Sequence, residues 1–239
     1  MSNRIGIIIL CLSFLLVSCE KADKQKKVVI PDAVDLGLSV KWASFDVGAT
    51  KPGEIGEYFS WGELEPKTSY FVNKYLWCSD SRLSLTKYNY NAKFGANPDN
   101  MHVLLPEDDV AHVRYGGGWR MPTAEEIKEL IECPFLKQSI EKVGPISCLK
   151  LTSTKTGNSI LLPPGGKHQN GQGPIGDSGS FWSSELHYTT AKMMLMDYDP
   201  FLAMMLQVTP WDAGNETFLC MSTHAMERNF GLNVRAVTK

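Results

Sequence analysis

A loop-rich α+β fold with many short strands and one or two short helices is what this sequence predicts, and three observations predict it. Apolar runs are short and strand-sized, and Gly, Asn or Pro bounds nearly all of them. Only one stretch carries a well-capped helical period. Strands and helices do not alternate as a parallel βαβ sheet requires, nor are the strands evenly spaced as in a regular sandwich. The composition, 43% hydrophobic and 21% charged, is that of a globular domain and excludes disorder of the whole chain. No linker-like stretch divides residues 31–239, which are expected to form one domain.

Taken in order, residues 34–43 and 58–62 are strand-sized runs separated by Gly48, Gly53 and Gly56. Residues 70–100 carry Ser, Asn, Lys and Tyr without a sustained period, which predicts a long surface excursion held by a few aromatic anchors. Pro106 suits the first position of a short helix at 107–113. The strongest helix starts at Thr123, where Thr123 and Glu126 have capping-box spacing. Ile127, Leu130 and Ile131 then share one face, and Pro134 stops the helix just after Cys133. Residues 146–152 and 159–162 flank Lys155-Thr156-Gly157-Asn158, a hairpin signal. The Gly-rich stretch at 165–180 lacks the strand-to-helix setting of a G-x-G-x-x-G loop, so nucleotide binding there is excluded. Further strands are expected at 181–185, 192–197, 218–222 and 232–237, with 199–211 as an inserted surface segment. Met193, Met194, Met196, Met204, Met205, Met221 and Met226 are read mainly as core filling.

The first residues carry an address. Arg4 precedes the uncharged apolar run 5–17, and Leu16-Val17-Ser18-Cys19 has the lipobox pattern, so residues 1–18 read as a lipoprotein signal peptide and Cys19 as the lipidated residue. The apolar run is short of the roughly 20 residues that a membrane-spanning helix needs. Several acyl chains on Cys19 would hold the protein stably on a membrane, where one chain would not. Residues 19–30 are then a lipidated, solvated tether, because 20–27 are charged and almost free of apolar side chains. The expected location is the cell envelope, the outer membrane and its surface included. The net charge of −2, with no basic cluster beyond the tether, excludes nucleic acid as a partner.

Four cysteines remain beyond the signal, Cys78, Cys133, Cys148 and Cys220, in a compartment where disulfides form. Their spacing gives no zinc-type close pair. Three complete pairings are open, and Cys133–Cys148, which would close a short loop between a helix end and the next strand, is the most economical.

Three stretches together resemble the Fibrobacter succinogenes major paralogous domain family. They are Val34-Asp35-Leu36-Gly37-Leu38-Ser39-Val40-Lys41-Trp42-Ala43-Ser44 with Val47-Gly48-Ala49-Thr50, then Gly118-Trp119-Arg120-Met121-Pro122-Thr123 with Glu125-Glu126, and Phe181-Trp182-Ser183-Ser184 with Val234-Arg235. The resemblance implies a C-type-lectin-like fold of twisted antiparallel strands with one or two short helices and long loops, shared with formylglycine-generating and sulfatase-modifying proteins, in a Bacteroidetes-type lipoprotein. Relatives often carry Cys-Asn where this chain has Phe45-Asp46, so a disulfide through that cysteine is not open to it.

Fold does not carry function, so each chemistry is weighed at its residues. The formylglycine-generating enzymes use a late cysteine pair, whereas only Cys220 lies in the last seventy residues here. The calcium-binding triplets of sugar-binding lectins are missing. Asp108, Asp109 and His112 share a helical spacing suited to a metal, but acidic residues at a helix start are better explained as caps. His168, His187 and His224 are scattered, with no nucleophile motif beside them. These readings predict neither cofactor nor metal nor catalytic set, and a non-enzymatic binding or adhesion module for a glycan or surface protein. Its candidate contacts are His168, Gln169 and Asn170 in the Gly-rich stretch, with Phe201 and Trp211 as apolar anchors in the insertion. An enzyme or accessory factor of the sulfatase-modifying type and a structural subunit of a surface assembly are the alternatives.

Overall fold

The structure, a computed structural model, describes residues 28–188, 199–212 and 217–239, the side chains of 211, 212 and 217–219 excepted. Cys19, the signal and most of the tether lie outside these residues, as does the strand expected at 192–197. In chain order the elements are β1 (Ala33–Val34), β2 (Lys41–Ala43), α1 (Val110–Tyr115), α2 (Ala124–Glu132), β3 (Leu136–Val143), β4 (Ile146–Ser153), β5 (Ser159–Leu162), β6 (Lys167–Gln169), β7 (Gln172–Ile175), β8 (Gly179–Leu186), β9 (Leu202–Asp212), β10 (Thr217–Glu227) and β11 (Val237–Thr238). All strand pairings between them are antiparallel, in sheets ordered β1-β2-β11, β10-β9-β8, β3-β4-β5 and β6-β7. The fold is thus strand-rich α+β with few helices, and the first sheet ties the start of the domain to its end.

The β8-β9-β10 sheet divides the interior. Neighbouring residues of a strand point to opposite faces, and Phe181 accordingly joins a core of Trp42, Ile127, Leu130, Leu149 and Ile160 while Trp182 joins another with Phe59, Trp61, Tyr88 and Leu232. The second core is locked by two indoles. Trp182 Nε1 donates to Phe59 O at 2.7 Å and Trp61 Nε1 donates to Ser183 O at 2.9 Å. These bonds satisfy the one polar atom of each buried ring and leave the rest as apolar area.

Helix α2 forms for the local reasons its sequence shows. Thr123 Oγ1 accepts from Glu126 N at 3.2 Å, and Glu126 Oε2 accepts from Thr123 N at 2.9 Å. Arg120 grips both oxygens of Glu126, at 2.8 and 2.5 Å. Burial works to raise the Glu126 carboxyl, but the Arg120 and Thr123 bonds outweigh it and hold the group below its ordinary range. Ile127 and Leu130 are buried, and Ile131 packs partly exposed against the same core. Thr123→Ala should therefore destabilise the domain by about 1 kcal/mol and Ile127→Ala by about 2–5 kcal/mol in urea unfolding. An Ile127→Ala variant with the parent's midpoint would contradict this packing.

The expected helix at 107–113 is divided. Pro106–Asp108 form a 3-10 turn, and Asp109 caps α1 by accepting from Ala111 N at 2.9 Å and His112 N at 3.1 Å. The hairpin expected around 155–158 is β4-β5, with Leu151 opposite Ile160. Its third strand, β3, was not expected. Residues 136–143 have the charges of an edge strand (Lys137, Glu141, Lys142), which hide its alternation.

Two expectations are corrected. Cys133 and Cys148 are free thiols. Leu136 pairs with Ser153, so Cys133 lies beyond that end of the sheet while Cys148 is five residues further along β4, roughly 17 Å away by strand rise. A disulfide needs Cα atoms about 4–7 Å apart. Cys148 is instead buried, its Sγ against Gly53 O at 3.7 Å. The second correction concerns 199–211, which is largely the central strand β9 and not an inserted surface segment. Phe201 just before it is fully buried with Tyr75, Cys78 and Leu85, and no exposed anchor.

Candidate functional site

The Gly-rich stretch folds into the β6-β7 hairpin. Asn170 and Gly171 are the two residues of its turn, both with positive φ, 47° and 75°. Asn-Gly is the pair that favours such a turn, because its twist matches the strands it joins. His168 is at the root. Its N–H donates to Gly231 O at 2.8 Å, and Gly231 N donates back to His168 O at 2.9 Å. The imidazole packs against Tyr58 and Tyr70, with ring centroids 4.3 and 5.2 Å away, and burial pushes its pKa down. Gly231 has to lack a side chain here, because a Cβ would stand 2.5 Å from the Tyr70 ring.

The predicted contacts therefore separate. His168 is a packed bracing residue, Gln169 is half-buried at the last pair before the turn, and Asn170 is exposed at the tip. Residues 170–177 are all exposed, and Phe71, itself 46% exposed, supports the tip, where a Cβ on Gly171 would lie 3.0 Å from its ring. Phe201 is buried elsewhere, and the side chain of Trp211 lies outside the described residues.

Asp108, Asp109 and His112 do not converge on a common point. Asp109 is buried, its second oxygen accepting from Met121 N at 2.8 Å, so all its bonds go to backbone N–H groups of its own and the following segment. Burial raises its carboxyl while those bonds oppose the rise. Asp108 accepts from Lys87 Nζ at 2.5 Å and from the Tyr88 hydroxyl. His112 Nδ1 lies 3.2 Å from Trp119 O. Asp109 and His112 line a cleft of about 450 Å³ together with Trp119, Arg120 and Thr123. Among the described residues no group of three His, Cys, Asp or Glu side chains could hold a metal ion. Cys220 is exposed on β10 opposite Thr209, and His224 on the same strand bonds Ser222 Oγ at 3.0 Å.

One constellation went unread in the sequence. His102 and Tyr188 stack with centroids 3.9 Å apart and planes 28° from parallel. Tyr90 closes on both, 4.9 Å from His102 and 5.4 Å from Tyr188. The backbone brings them together: Leu186 N donates to His102 O at 2.8 Å, Val103 pairs with Glu185, and the Tyr90 hydroxyl donates to His187 O at 3.0 Å. No local motif marks it.

These features define a class, a strand-rich α+β domain carrying a braced, exposed hairpin and a half-buried aromatic stack. No known protein family, curated protein or solved structure matches the chain.

Proposed function

We propose that this protein is a lipid-anchored component of the cell envelope, outer membrane included, whose domain is C-type-lectin-like, belongs with the Fibrobacter succinogenes major paralogous domains, and binds a ligand without transforming it. The anchor rests on Leu16-Val17-Ser18-Cys19 behind Arg4 and the apolar run. No helix among the described residues is long and apolar enough to cross a membrane. The family assignment rests on the three sequence stretches. Several of their residues carry structural duties that the fold needs: Arg120 holds the α2 cap, Trp182 bonds Phe59 O, and Arg235 bonds Asp46.

The observation that carries binding is the β6-β7 hairpin, exposed over residues 170–177 and braced at its root by Gly231, Tyr58 and Tyr70. A projecting segment fixed in advance loses little conformational entropy on contact, which favours recognition. Replacing the exposed segment 170–175 with a short Gly-Ser bridge, His168 and Gln169 kept, should remove binding to glycan and surface-protein arrays while the thermal transition stays nearly unchanged. Formylglycine formation by the purified protein, lost on Cys220→Ser, would replace this reading with an enzymatic one. Cys19→Ala should abolish palmitate labelling and release the protein from the membrane fraction, and unchanged labelling would remove the anchor.

A further inference from the structure

We infer that Tyr90, His102 and Tyr188 form a saccharide-stacking subsite that takes the apolar face of a neutral pyranose ring. The inference deepens the binding reading above and rests on it, but it stands on different elements from the hairpin. The stack is built before any ligand arrives. The Asp99 carboxylate accepts from Tyr88 N at 2.7 Å, Asn89 N at 2.9 Å and Met101 N at 3.0 Å, so one side chain fixes the two segments that carry Tyr90 and His102. The Tyr90 hydroxyl is anchored on His187 O, and the segment bearing Tyr188 is paired to that bearing His102. Aromatic rings held in this way lose almost no freedom when a flat ligand settles on them.

The open end of the stack is Tyr188, which is 46% exposed. One of its faces lies on His102. A six-membered sugar ring matches a phenol ring in breadth, and its axial C–H groups present a weakly positive, apolar surface to the negative face of the π system. Its rim hydroxyls need hydrogen-bonding partners, and exposed Asn100, whose N–H donates to Asn89 O at 2.9 Å beside Tyr90, lies two residues from His102. Charge points the same way. The stack holds no permanent charge, and burial lowers the His102 pKa against the pull of Asp99, which favours the neutral imidazole. An anionic sugar would find no cation in the stack itself. A protein partner would seek a broader apolar patch around a central anchor than this aromatic trio provides.

The test uses the mature lipidated chain in detergent micelles with cellohexaose, mannohexaose and xylohexaose as probes, followed by calorimetry and by the His102 imidazole resonances. At least one hexasaccharide should bind and shift those resonances. Tyr188→Ala should weaken that binding about tenfold or more, the loss expected for an aromatic anchor, while Tyr188→Phe, which keeps the ring face, stays within about twofold. Unchanged thermal transitions in both variants would place the loss at the stack. If no hexasaccharide moves His102 at about 10 mM, where even a weak contact registers, or if Tyr188→Ala binds as the parent does, the subsite is overturned. A surface protein that binds through Tyr188 when no saccharide does would overturn it too. Loss of array binding on shortening the hairpin, with His102 silent toward sugars, would leave the binding reading standing without this subsite.

Discussion

Arg235→Met is expected to destabilise the domain by about 3–5 kcal/mol, a large part of the roughly 5–15 kcal/mol that holds a domain folded. Asp46 and Arg235 are both fully buried, and Arg235 Nε donates to Asp46 Oδ1 at 2.6 Å. The guanidinium also donates to Ala43 O at 3.1 Å and to Leu161 O at 2.7 Å, so it ties β2 and β5 to the last segment of the chain. Burial pushes the Asp46 carboxyl up, and Arg235 is the main group that opposes the rise. Removing the arginine therefore leaves a carboxyl without its charge partner and two buried carbonyls without donors. Asp46→Leu combined with Arg235→Met should recover part of the loss, because the buried charge leaves as well. Recovery should be incomplete, since Ala43 O and Leu161 O still lack donors at about 1–3 kcal/mol each. Urea unfolding of the two single variants and the double variant measures the coupling. A single Arg235→Met variant with the parent's midpoint would mean that the pair contributes nothing.

The sequence disclosed this pair only as a departure, Phe45-Asp46 in place of a cysteine pattern, and the reason is distance along the chain. What was legible was local. Helix α2 could be read because its cap lies within four residues and its apolar face within nine, and the β4-β5 hairpin because Lys155-Thr156-Gly157-Asn158 sits between two short apolar runs. Strand β3 escaped because an edge strand buries little and carries charge on both faces. Strand β9 was misread for the opposite reason. A central strand covered on both sides shows a dense run, Leu202 to Leu206, with no clean alternation, and Pro210 lies within the strand itself.

The candidate site divides along the same line. The Asn170-Gly171 turn was written in the residues and could have been found from the dipeptide alone. That His168 braces the hairpin could not, because its partners, Gly231, Tyr58 and Tyr70, come from distant segments. Phe201 is expected to be exposed as part of the insertion that 199–211 suggests. It is buried against Tyr75, Cys78 and Leu85, and Arg228, far along the chain, holds that turn in place by donating to Pro200 O. Tyr90, His102 and Tyr188 meet through the pairing of segments 102–104 and 184–186, the Asp99 bonds and the Tyr90 bond to His187 O. Side chains that hold such distant segments together set the site more than any motif does.

Arg228 is the strongest case, and its replacement has the second large expected effect. The side chain is fully buried, donating to Tyr75 Oη at 2.9 Å, Tyr88 O at 3.0 Å, Pro200 O at 3.1 Å and Lys87 O at 3.1 Å. Its guanidinium carbon lies 4.9 Å from the Trp61 ring centre and 5.2 Å from that of Tyr75. Carbonyl dipoles and π faces stabilise the charge here, and a planar fork is needed to reach them all at once. Arg228→Ala leaves several buried acceptors without donors, at about 1–3 kcal/mol each, and should destabilise the domain by about 4 kcal/mol or more. Arg228→Lys should rescue little of that loss. An ammonium on one stem cannot span carbonyls on both sides of the site, and burial favours its neutral form. Urea unfolding compares the two variants directly, and a lysine variant as stable as the parent would show that charge alone is required there. Because Arg228 fixes Lys87 and Tyr88, two residues before Tyr90, the surviving folded fraction of either variant should also lose the close packing of Tyr90 on His102. The His102 imidazole resonance should then shift toward its solvent-exposed position even without ligand.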